Sequence, residues 1–199
     1  MNVSRKNDPP DSDEVEGLEK LVTTARWAGV DDPRLLDVMR QVPRAAFVPL
    51  DQVRLAYHDV PVPIPHSQVT TQPSLSARMI QALRLAGGEH VLEVGTGYGY
   101  QTALLGRLAA FVTSIERWAD LADQARRNLA AQGIKNVHVV DGDGTEGVPA
   151  AAPYDAILVS AAFPQVPEAL VGQLRVGGRV VQPIGPGGAE RVTVFERSA

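Results

Sequence analysis

Three glycines at alternate positions directly follow an apolar run, and this spacing suits a ligand that lies against the backbone. The stretch reads Val91-Leu92-Glu93-Val94-Gly95-Thr96-Gly97-Tyr98-Gly99 and continues into a helical pattern from Tyr100. It predicts a buried strand, a tight turn that glycine makes easily, and a helix whose unpaired N–H groups face that turn. The spacing is neither the G-x-G-x-x-G of dinucleotide binders nor a P-loop, so alone it does not specify the ligand.

A carboxylate follows this loop at a distance that suits ribose binding. Val112-Thr113-Ser114-Ile115-Glu116 has the pattern of a second strand, and it ends in an acid. In a βαβ unit the second strand lies beside the first, so Glu116 can accept hydrogen bonds from both hydroxyls of a ribose. The alternative is that Glu116 caps the helix predicted from Trp118 to Leu129.

The third predicted strand also ends in a polar turn, Asp141-Gly142-Asp143-Gly144. Ligands of doubly wound sheets collect at the carboxyl edge of the strands, where this turn and the glycine loop both belong. Asp143 can accept from an exocyclic amine there, and the glycines leave room for a flat ring. The alternative is an ordinary β-turn.

A proline-rich stretch before the glycine loop, residues 57–73, is predicted to form a wall of the site. Its four prolines exclude a regular helix or a central strand. We call it the wall segment. Its polar part reads His66-Ser67-Gln68-Val69-Thr70-Thr71-Gln72-Pro73, which is too polar for a core, although Ser and Thr also cap turns. His66 is the histidine expected near a substrate, and the four histidines form no metal-binding pattern.

The elements that must position these residues alternate between strands and helices. Strands are predicted at 91–94, 112–116, 137–140, 156–160, 179–183 and 191–196, with helices between most of them. This alternation predicts an α/β fold with a doubly wound, mainly parallel, Rossmann-like sheet covered on both faces. Two helices, one ended by Gly29 and one capped by Asp32, form an N-terminal helical extension. Both tryptophans fall in predicted helices and are expected to be packing or surface residues.

The chain divides into three predicted parts. Residues 1–15 have little to bury and are expected to be a mobile tail. Residues 16–85 carry the N-terminal helices and the wall segment, and residues 86–199 form the α/β core.

Composition excludes several classes of protein. A net charge of −4 gives no electrostatic footprint for nucleic acid, and the absence of cysteine excludes disulfides and thiol chemistry. No apolar run is long enough to cross a membrane, and no G-x-S-x-G elbow of an α/β-hydrolase is present. A cytoplasmic monomer without a membrane, metal or nucleic-acid partner is expected.

Several motifs together resemble the protein-L-isoaspartate O-methyltransferases. They are Val42-Pro43-Arg44, Phe47-Val48-Pro49, His66–Pro73, residues 91–101, Ile115-Glu116-Arg117, Gly142-Asp143-Gly144, residues 152–157 and residues 174–183. The glycine loop is shared by many methyltransferases, whereas the Phe-Val-Pro segment, the wall segment and Ala-Pro-Tyr-Asp-Ala-Ile are more particular to this family. The family usually continues past the position of Phe195, so the core is expected to be short at its C-terminus.

The resemblance implies a cofactor, S-adenosylmethionine, and assigns the site residue by residue. Cofactor contacts are implied at Glu93, Gly95, Thr96, Gly97, Glu116, Arg117, Asp143 and Gly144. Substrate contacts are implied at His66, Gln68, Val69 and Gln72. The family's wall reads Gly-Gln-Thr-Ile-Ser-Gln-Pro, so Thr71 falls on the serine regarded as the active-site hydroxyl, and Thr70 is a second candidate.

The function implied is methyl transfer from S-adenosylmethionine to the free α-carboxylate of L-isoaspartyl residues in damaged peptides and proteins. Such a carboxylate is already ionised at neutral pH, so placement matters more than a strong base. Two alternatives stay open at this point. One is methylation of an ordinary aspartate in a specific protein or peptide, and the other is a cofactor-binding module without activity.

Overall fold

The computed structural model describes residues 12–160, 165–184 and 191–198. The helices in these ranges are α1 (Ser12–Trp27), α2 (Pro33–Gln41), α3 (Pro73–Leu83), α4 (Tyr100–Leu108), α5 (Ala119–Ala131) and α6 (Glu168–Gln173). Short 3-10 helices lie at Arg44–Phe47, Leu50–Leu55 and Pro149–Ala151. None of the helices in the described ranges is long and apolar enough to span a membrane.

The N-terminal helices form where the sequence predicts them, with one difference at the start. Helix α1 begins at Ser12, so residues 12–15, predicted to belong to a mobile tail, are helical. Residues 1–11 lie outside the described ranges. Asp32 caps α2 as predicted, because its side chain accepts hydrogen bonds from the N–H groups of Arg34 and Leu35.

The wall segment contains a small hairpin. Strand β1 (Val62–Ile64) pairs antiparallel with β2 (Gln68–Thr70), with Val62 opposite Thr70. His66 and Ser67 form the connecting turn with φ angles of 61° and 55°, the left-handed values that a tight hairpin turn requires. The prolines exclude this stretch from the central sheet, as predicted, but they do not prevent a separate two-stranded hairpin.

The central sheet has six strands within the described residues. They are β3 (His90–Val94), β4 (Phe111–Glu116), β5 (Val137–Asp141), β6 (Tyr154–Val159), β7 (Leu174–Ile184) and β8 (Arg191–Glu196). Their order is β5-β4-β3-β6-β7-β8, and only the β7–β8 pairing is antiparallel. The chain therefore builds outward from β3 on one side and then crosses to β6 on the other. A crevice opens at such a reversal point, beyond the carboxyl ends of the strands.

Apolar residues cover both faces of the sheet, as the doubly wound prediction requires. Successive residues of one strand enter different clusters, since Val91 packs with α1 to α4 whereas Leu92 packs with α6 and β7. Ala156 and Ile157 in β6 divide in the same way. The N-terminal helices thus share one core with the sheet.

One predicted boundary is wrong by several residues. Strand β7 begins at Leu174, ahead of Gly177-Gly178, and not at Arg179. A Cβ atom at Gly178 would lie 2.8 Å from the Asp155 carbonyl oxygen, so a glycine permits close approach inside the strand here and does not end a loop. Residues 185–190, between β7 and β8, lie outside the described ranges.

Candidate active site

The glycine loop connects β3 to α4 in the predicted manner. Gly95, Gly97 and Gly99 have φ angles of 94°, 55° and 93°, and Gly99 is the N-cap residue of α4. Residues with a side chain rarely adopt these angles. The alternate glycines are therefore required by the turn itself, and they leave its backbone open to a ligand.

Glu116 holds the glycine loop against the next strand. One carboxylate oxygen accepts a hydrogen bond from Gly97 N–H at 2.8 Å, and the other accepts from Trp118 N–H at 3.1 Å. The side chain is only 6% exposed, and it lines the cavity described next. Because a carboxylate has about four acceptor positions, Glu116 supports the loop and the start of α5 and still has capacity for hydroxyl donors.

A cavity of about 360 Å³ lies between the glycine loop, the carboxyl ends of the strands and the wall segment. It is lined by Ile64, Gln68, Val69, Thr71, Val94, Gly95, Gly97, Ile115, Glu116, Arg117, Trp118, Leu121, Asp143, Gly144, Thr145 and Ser160. This volume and its mixture of apolar and polar walls are typical of a site for a small molecule.

Most of the predicted cofactor residues meet in this cavity. Gly95, Gly97, Glu116, Arg117, Asp143 and Gly144 line it from the side of the sheet. A Cβ atom at Gly144 would lie 2.3 Å from the Val94 side chain, so only glycine fits at that position. Thr145 donates through N–H and hydroxyl to one oxygen of Asp143, and the backbone donor in particular lowers the pKa of that carboxyl. Asp143 therefore presents a charged acceptor.

Glu93, also predicted to contact the cofactor, lies beneath the cavity. Its side chain is fully buried and does not line the cavity. It accepts hydrogen bonds from Gln101, Thr102 and Ser114, which lie beneath the glycine loop on α4 and β4. Burial raises the pKa of Glu93 to about 7. The residue supports the loop from below, and its contact with a cofactor stays a prediction.

The Thr96 side chain is also turned away from the main cavity. Its hydroxyl lies 2.6 Å from the Ser114 hydroxyl, and the residue is 5% exposed. Thr96 borders only a smaller neighbouring cavity, together with Thr70, Thr71 and Ser76. It belongs to the same hydrogen-bonded support as Glu93, because Ser114 contacts both.

His66 fastens the wall segment and is not among the residues that line the cavity, so its role as a substrate residue stays a prediction. Its ring stacks on Trp118 with centroids 4.0 Å apart and planes only 2° from parallel. Its Nε2 atom lies 2.8 Å from an oxygen of Asp120. Trp118, expected to be a packing or surface residue, lines the cavity and contacts the hairpin tip through His66.

Gln72 likewise stabilises the wall segment and is not among the residues that line the cavity, so its role as a substrate residue also stays a prediction. Its amide nitrogen donates to a carboxylate oxygen of Asp59 at 2.7 Å. Asp59 also accepts from the N–H and hydroxyl groups of Ser74 at the start of α3. The sequence around Asp59 does not indicate this role, because a single aspartate between turn residues forms no recognisable motif.

The two candidate hydroxyls occupy different environments. Thr71 lines the main cavity, as do Gln68 and Val69 among the predicted substrate residues. The Thr70 hydroxyl oxygen instead accepts from Arg44 at 3.0 Å and from Val62 N–H at 3.1 Å. The geometry therefore favours Thr71 as the hydroxyl available to a ligand.

Several cavity residues were not predicted. Ile64, Val94, Ile115 and Leu121 supply apolar wall, and Thr145 and Ser160 supply hydroxyls. Ser160 follows β6, and its hydroxyl accepts a hydrogen bond from Gln101 at 2.6 Å. Its position at the carboxyl end of a strand next to β3 is the feature by which Ser160 could have been identified as a cavity residue.

Comparisons with known proteins agree with the resemblance seen in the motifs. A family model described as protein-L-isoaspartate(D-aspartate) O-methyltransferase matches residues 16–199. A protein-L-isoaspartate O-methyltransferase from Methanoculleus marisnigri is 51% identical over 171 residues, which cover 86% of this chain and 78% of the relative. A second from Rhodopseudomonas palustris is 50% identical, covering 93% of this chain and 78% of the relative.

Solved structures show the same similarity. One protein-L-isoaspartate O-methyltransferase has a TM-score of 0.77 at 33% identity; the match covers 91% of this chain but only 60% of that one. A Plasmodium falciparum protein crystallised with S-adenosyl-L-homocysteine also has a TM-score of 0.77, at 24% identity, with 92% of this chain and 90% of that one covered. The second likeness supports the fold.

Proposed function

The chain belongs to the protein-L-isoaspartate(D-aspartate) O-methyltransferase family, and on this premise we propose its reaction and the roles of its residues. The reaction is methyl transfer from S-adenosylmethionine to the free α-carboxylate of L-isoaspartyl residues in peptides and proteins. One observation carries this proposal. A single cavity joins the glycine loop and Glu116 on one side to Thr71 on the other.

The residues present fit S-adenosylmethionine. Glu116 would accept from the ribose hydroxyls, Asp143 from the adenine amine, and the backbone at Gly95 and Gly97 would lie against the ligand. Glycine at position 144, where a Cβ atom would overlap Val94, lets the turn that carries Asp143 pack directly against the end of β3 at the cavity wall. When bound, S-adenosylmethionine supplies an electrophilic methyl group.

The acceptor side requires little acid–base chemistry. A free carboxylate has a pKa near 4 and is ionised at neutral pH, so no base is needed to activate it. Thr71 donates a hydrogen bond that orients the carboxylate, and the wall segment limits access of water to the cavity. The backbone amide nitrogen of the next residue would then displace methanol from the ester to form a succinimide, and water would reopen this ring in part as normal aspartate.

We also propose that the protein works as a monomer in the cytoplasm. A net charge of −4 and the absence of cysteine are consistent with work in the cytoplasm as a monomer without a nucleic-acid partner. Sedimentation at several protein concentrations checks the monomeric state.

A matched pair of peptides tests the acceptor. We expect methyl ester to form on a peptide with one isoaspartyl linkage and not on its aspartyl twin of the same sequence. Gly97→Val is the control for cofactor binding. It should bind no cofactor, because position 97 requires a φ of 55° that valine rarely adopts. Ester on the aspartyl peptide would contradict the acceptor, and binding of S-adenosyl-L-homocysteine without ester on either peptide would indicate an inactive module.

A further inference from the structure

Arg44 is a fully buried cation that stands directly behind the wall segment. It lies in the 3-10 helix after α2 and is 0% exposed. Among the described residues no carboxylate forms an ion pair with it, and its Nε atom has no hydrogen-bond partner. Burying a charge without an opposite charge is costly, and an apolar residue of similar size is often as stable or more so. Such a residue calls for a reason beyond stability.

The guanidinium group donates hydrogen bonds to several residues of the wall segment and to the residue just before it. One terminal nitrogen donates to the carbonyl oxygens of Ala56 and His58, at 3.1 and 2.9 Å. The other donates to the carbonyl oxygen of Val60 and to the hydroxyl of Thr70, both at 3.0 Å. The planar fork of an arginine suits this arrangement, whereas a lysine presents only a single point charge.

The bond to Thr70 matters because the hairpin is short. Each strand has three residues, and a two-stranded hairpin of this size is marginally stable and weakly fixed in register. Successive side chains of a strand point to opposite sides, so a slip by one residue would exchange the positions of Thr70 and Thr71. Two donors on the Thr70 oxygen, from Arg44 and Val62 N–H, hold that side chain inward.

We propose that Arg44 and Thr70 form a register lock, in which the bond between them presents the Thr71 hydroxyl to the acceptor. Arg44 and Thr70 are positioning residues that act through Thr71 and need not touch the substrate. This inference rests on the function proposed above for the reaction of Thr71. The lock itself is a statement about the hairpin and can be tested without turnover.

Thr70→Val tests the lock with little change of shape, because valine keeps the branched side chain and loses the hydroxyl. We expect its kcat with an isoaspartyl peptide to fall by about 100-fold, as for a reacting group displaced by about 1 Å. Affinity for S-adenosyl-L-homocysteine should stay within about twofold, since Thr70 does not line the main cavity. Thr70→Ser restores the hydroxyl and should recover most of kcat.

A double-mutant cycle shows whether Thr70 acts through Thr71. If it does, Thr70→Val combined with Thr71→Ala should be no slower than Thr71→Ala alone. Multiplied effects in the double variant would overturn the proposal. Arg44→Lys, which keeps the charge but cannot form the fork, should lower kcat as Thr70→Val does.

Hydrogen exchange separates failure of the lock from failure of the proposed function. Amides of residues 62–71 should exchange faster in Thr70→Val than in the wild-type protein and in Thr70→Ser, while amides of β3 and β4 stay unchanged. Equal exchange in all three proteins would overturn the lock, whatever the activity. If exchange is faster in Thr70→Val but the wild-type protein methylates neither peptide, the proposed function is overturned and the lock stays supported.

Discussion

The hydroxyl of Thr71 is the single protein group that we expect to act on the acceptor carboxylate. Thr71→Ser keeps this hydroxyl and should retain kcat within a few-fold. Thr71→Ala should lower kcat by about 10- to 1000-fold, the usual range for losing one donor aimed at a reacting oxygen. Single-turnover methylation of an isoaspartyl peptide measures the effect, and calorimetry should show unchanged affinity for S-adenosyl-L-homocysteine. Full activity in the alanine variant would remove Thr71 from the mechanism.

Glu116 has two roles that a matched control can separate. Glu116→Gln should weaken binding of S-adenosyl-L-homocysteine by about 1–3 kcal/mol, the range for charged hydrogen bonds. Glu89→Gln is the control, because the Glu89 carboxylate also accepts two backbone N–H bonds, from Ala86 and Gly87, but is not part of the cavity. Both variants should lose some thermal stability, and only the first should lose affinity by calorimetric titration. Equal affinity in the two would return Glu116 to the role of a helix cap.

Glu93 should make stability depend on pH. Burial raises the pKa of this carboxyl from 4.5 to about 7, so the folded protein binds the proton more tightly than the unfolded chain does. The stabilising contribution of the proton is complete below about pH 4.5 and is lost as the pH rises to about 7. The unfolding free energy of the wild-type protein, relative to Glu93→Gln, should therefore fall between pH 5 and pH 8 in urea titrations. A difference that is independent of pH would show that Glu93 stays ionised when buried.

Sequence reasoning located these acids but could not say which way each side chain points. Glu93 and Glu116 both stand at the ends of strands beside the glycine loop, and spacing alone treats them alike. Glu116 enters the cavity, whereas Glu93 is directed to donors on α4 and β4 that are distant in sequence. Arg44 was not predicted to act in the site at all, because its four acceptors come from residues 12 to 26 positions further along the chain.

At the scale of elements, the hairpin tip is fastened to the start of α5. The stacked pair of His66 and Trp118 joins the wall segment to the residues next to Glu116. His66→Ala should increase the dissociation rate of S-adenosyl-L-homocysteine by about 2- to 10-fold, the equivalent of one aromatic contact. Stopped-flow displacement measures this rate. His138→Ala, at an exposed position in β5, is the control and should leave the rate unchanged.

Asp120→Asn separates the two parts of this contact. The variant keeps the stacked rings and weakens only the hydrogen bond from His66. We expect an intermediate rate. A rate in His66→Ala equal to that of the wild-type protein would mean that the tip does not control release.

The order of the elements was predictable because its signals are local. The alternation of apolar runs and helical patterns places each of the strands from β3 to β8, and β8 matches the predicted residues 191–196. The early start of β7 and the wall hairpin were not predicted. Glycine and proline usually end strands, and only close packing against Asp155 or pairing within a separate hairpin allows otherwise.

At the scale of the whole molecule, the N-terminal helices and the sheet should unfold together. Leu21 of α1, Leu35 of α2 and Met79 of α3 belong to the same buried cluster as Val91 and Leu104. A shared core predicts one cooperative transition. Tryptophan fluorescence, which reports on Trp27 in α1 and Trp118 beside the cavity, should change at the same urea concentration as the far-ultraviolet circular dichroism. Separate midpoints would show that residues 16–85 form an independent unit.

The two halves of the site come from different stretches of the chain, and this has a consequence for protein engineering. Groups on the acceptor side lie before residue 77, whereas those that would hold S-adenosylmethionine lie between residues 94 and 145. Acceptor preference could therefore be moved between related enzymes by a graft, with the host's own cofactor cavity left in place. A graft of residues 62–71 alone would separate Thr70 from Arg44. The smallest graft that keeps these contacts runs from Arg44 to Ser74, because the hydrogen bonds that Arg44 and Asp59 make behind the hairpin then travel with it.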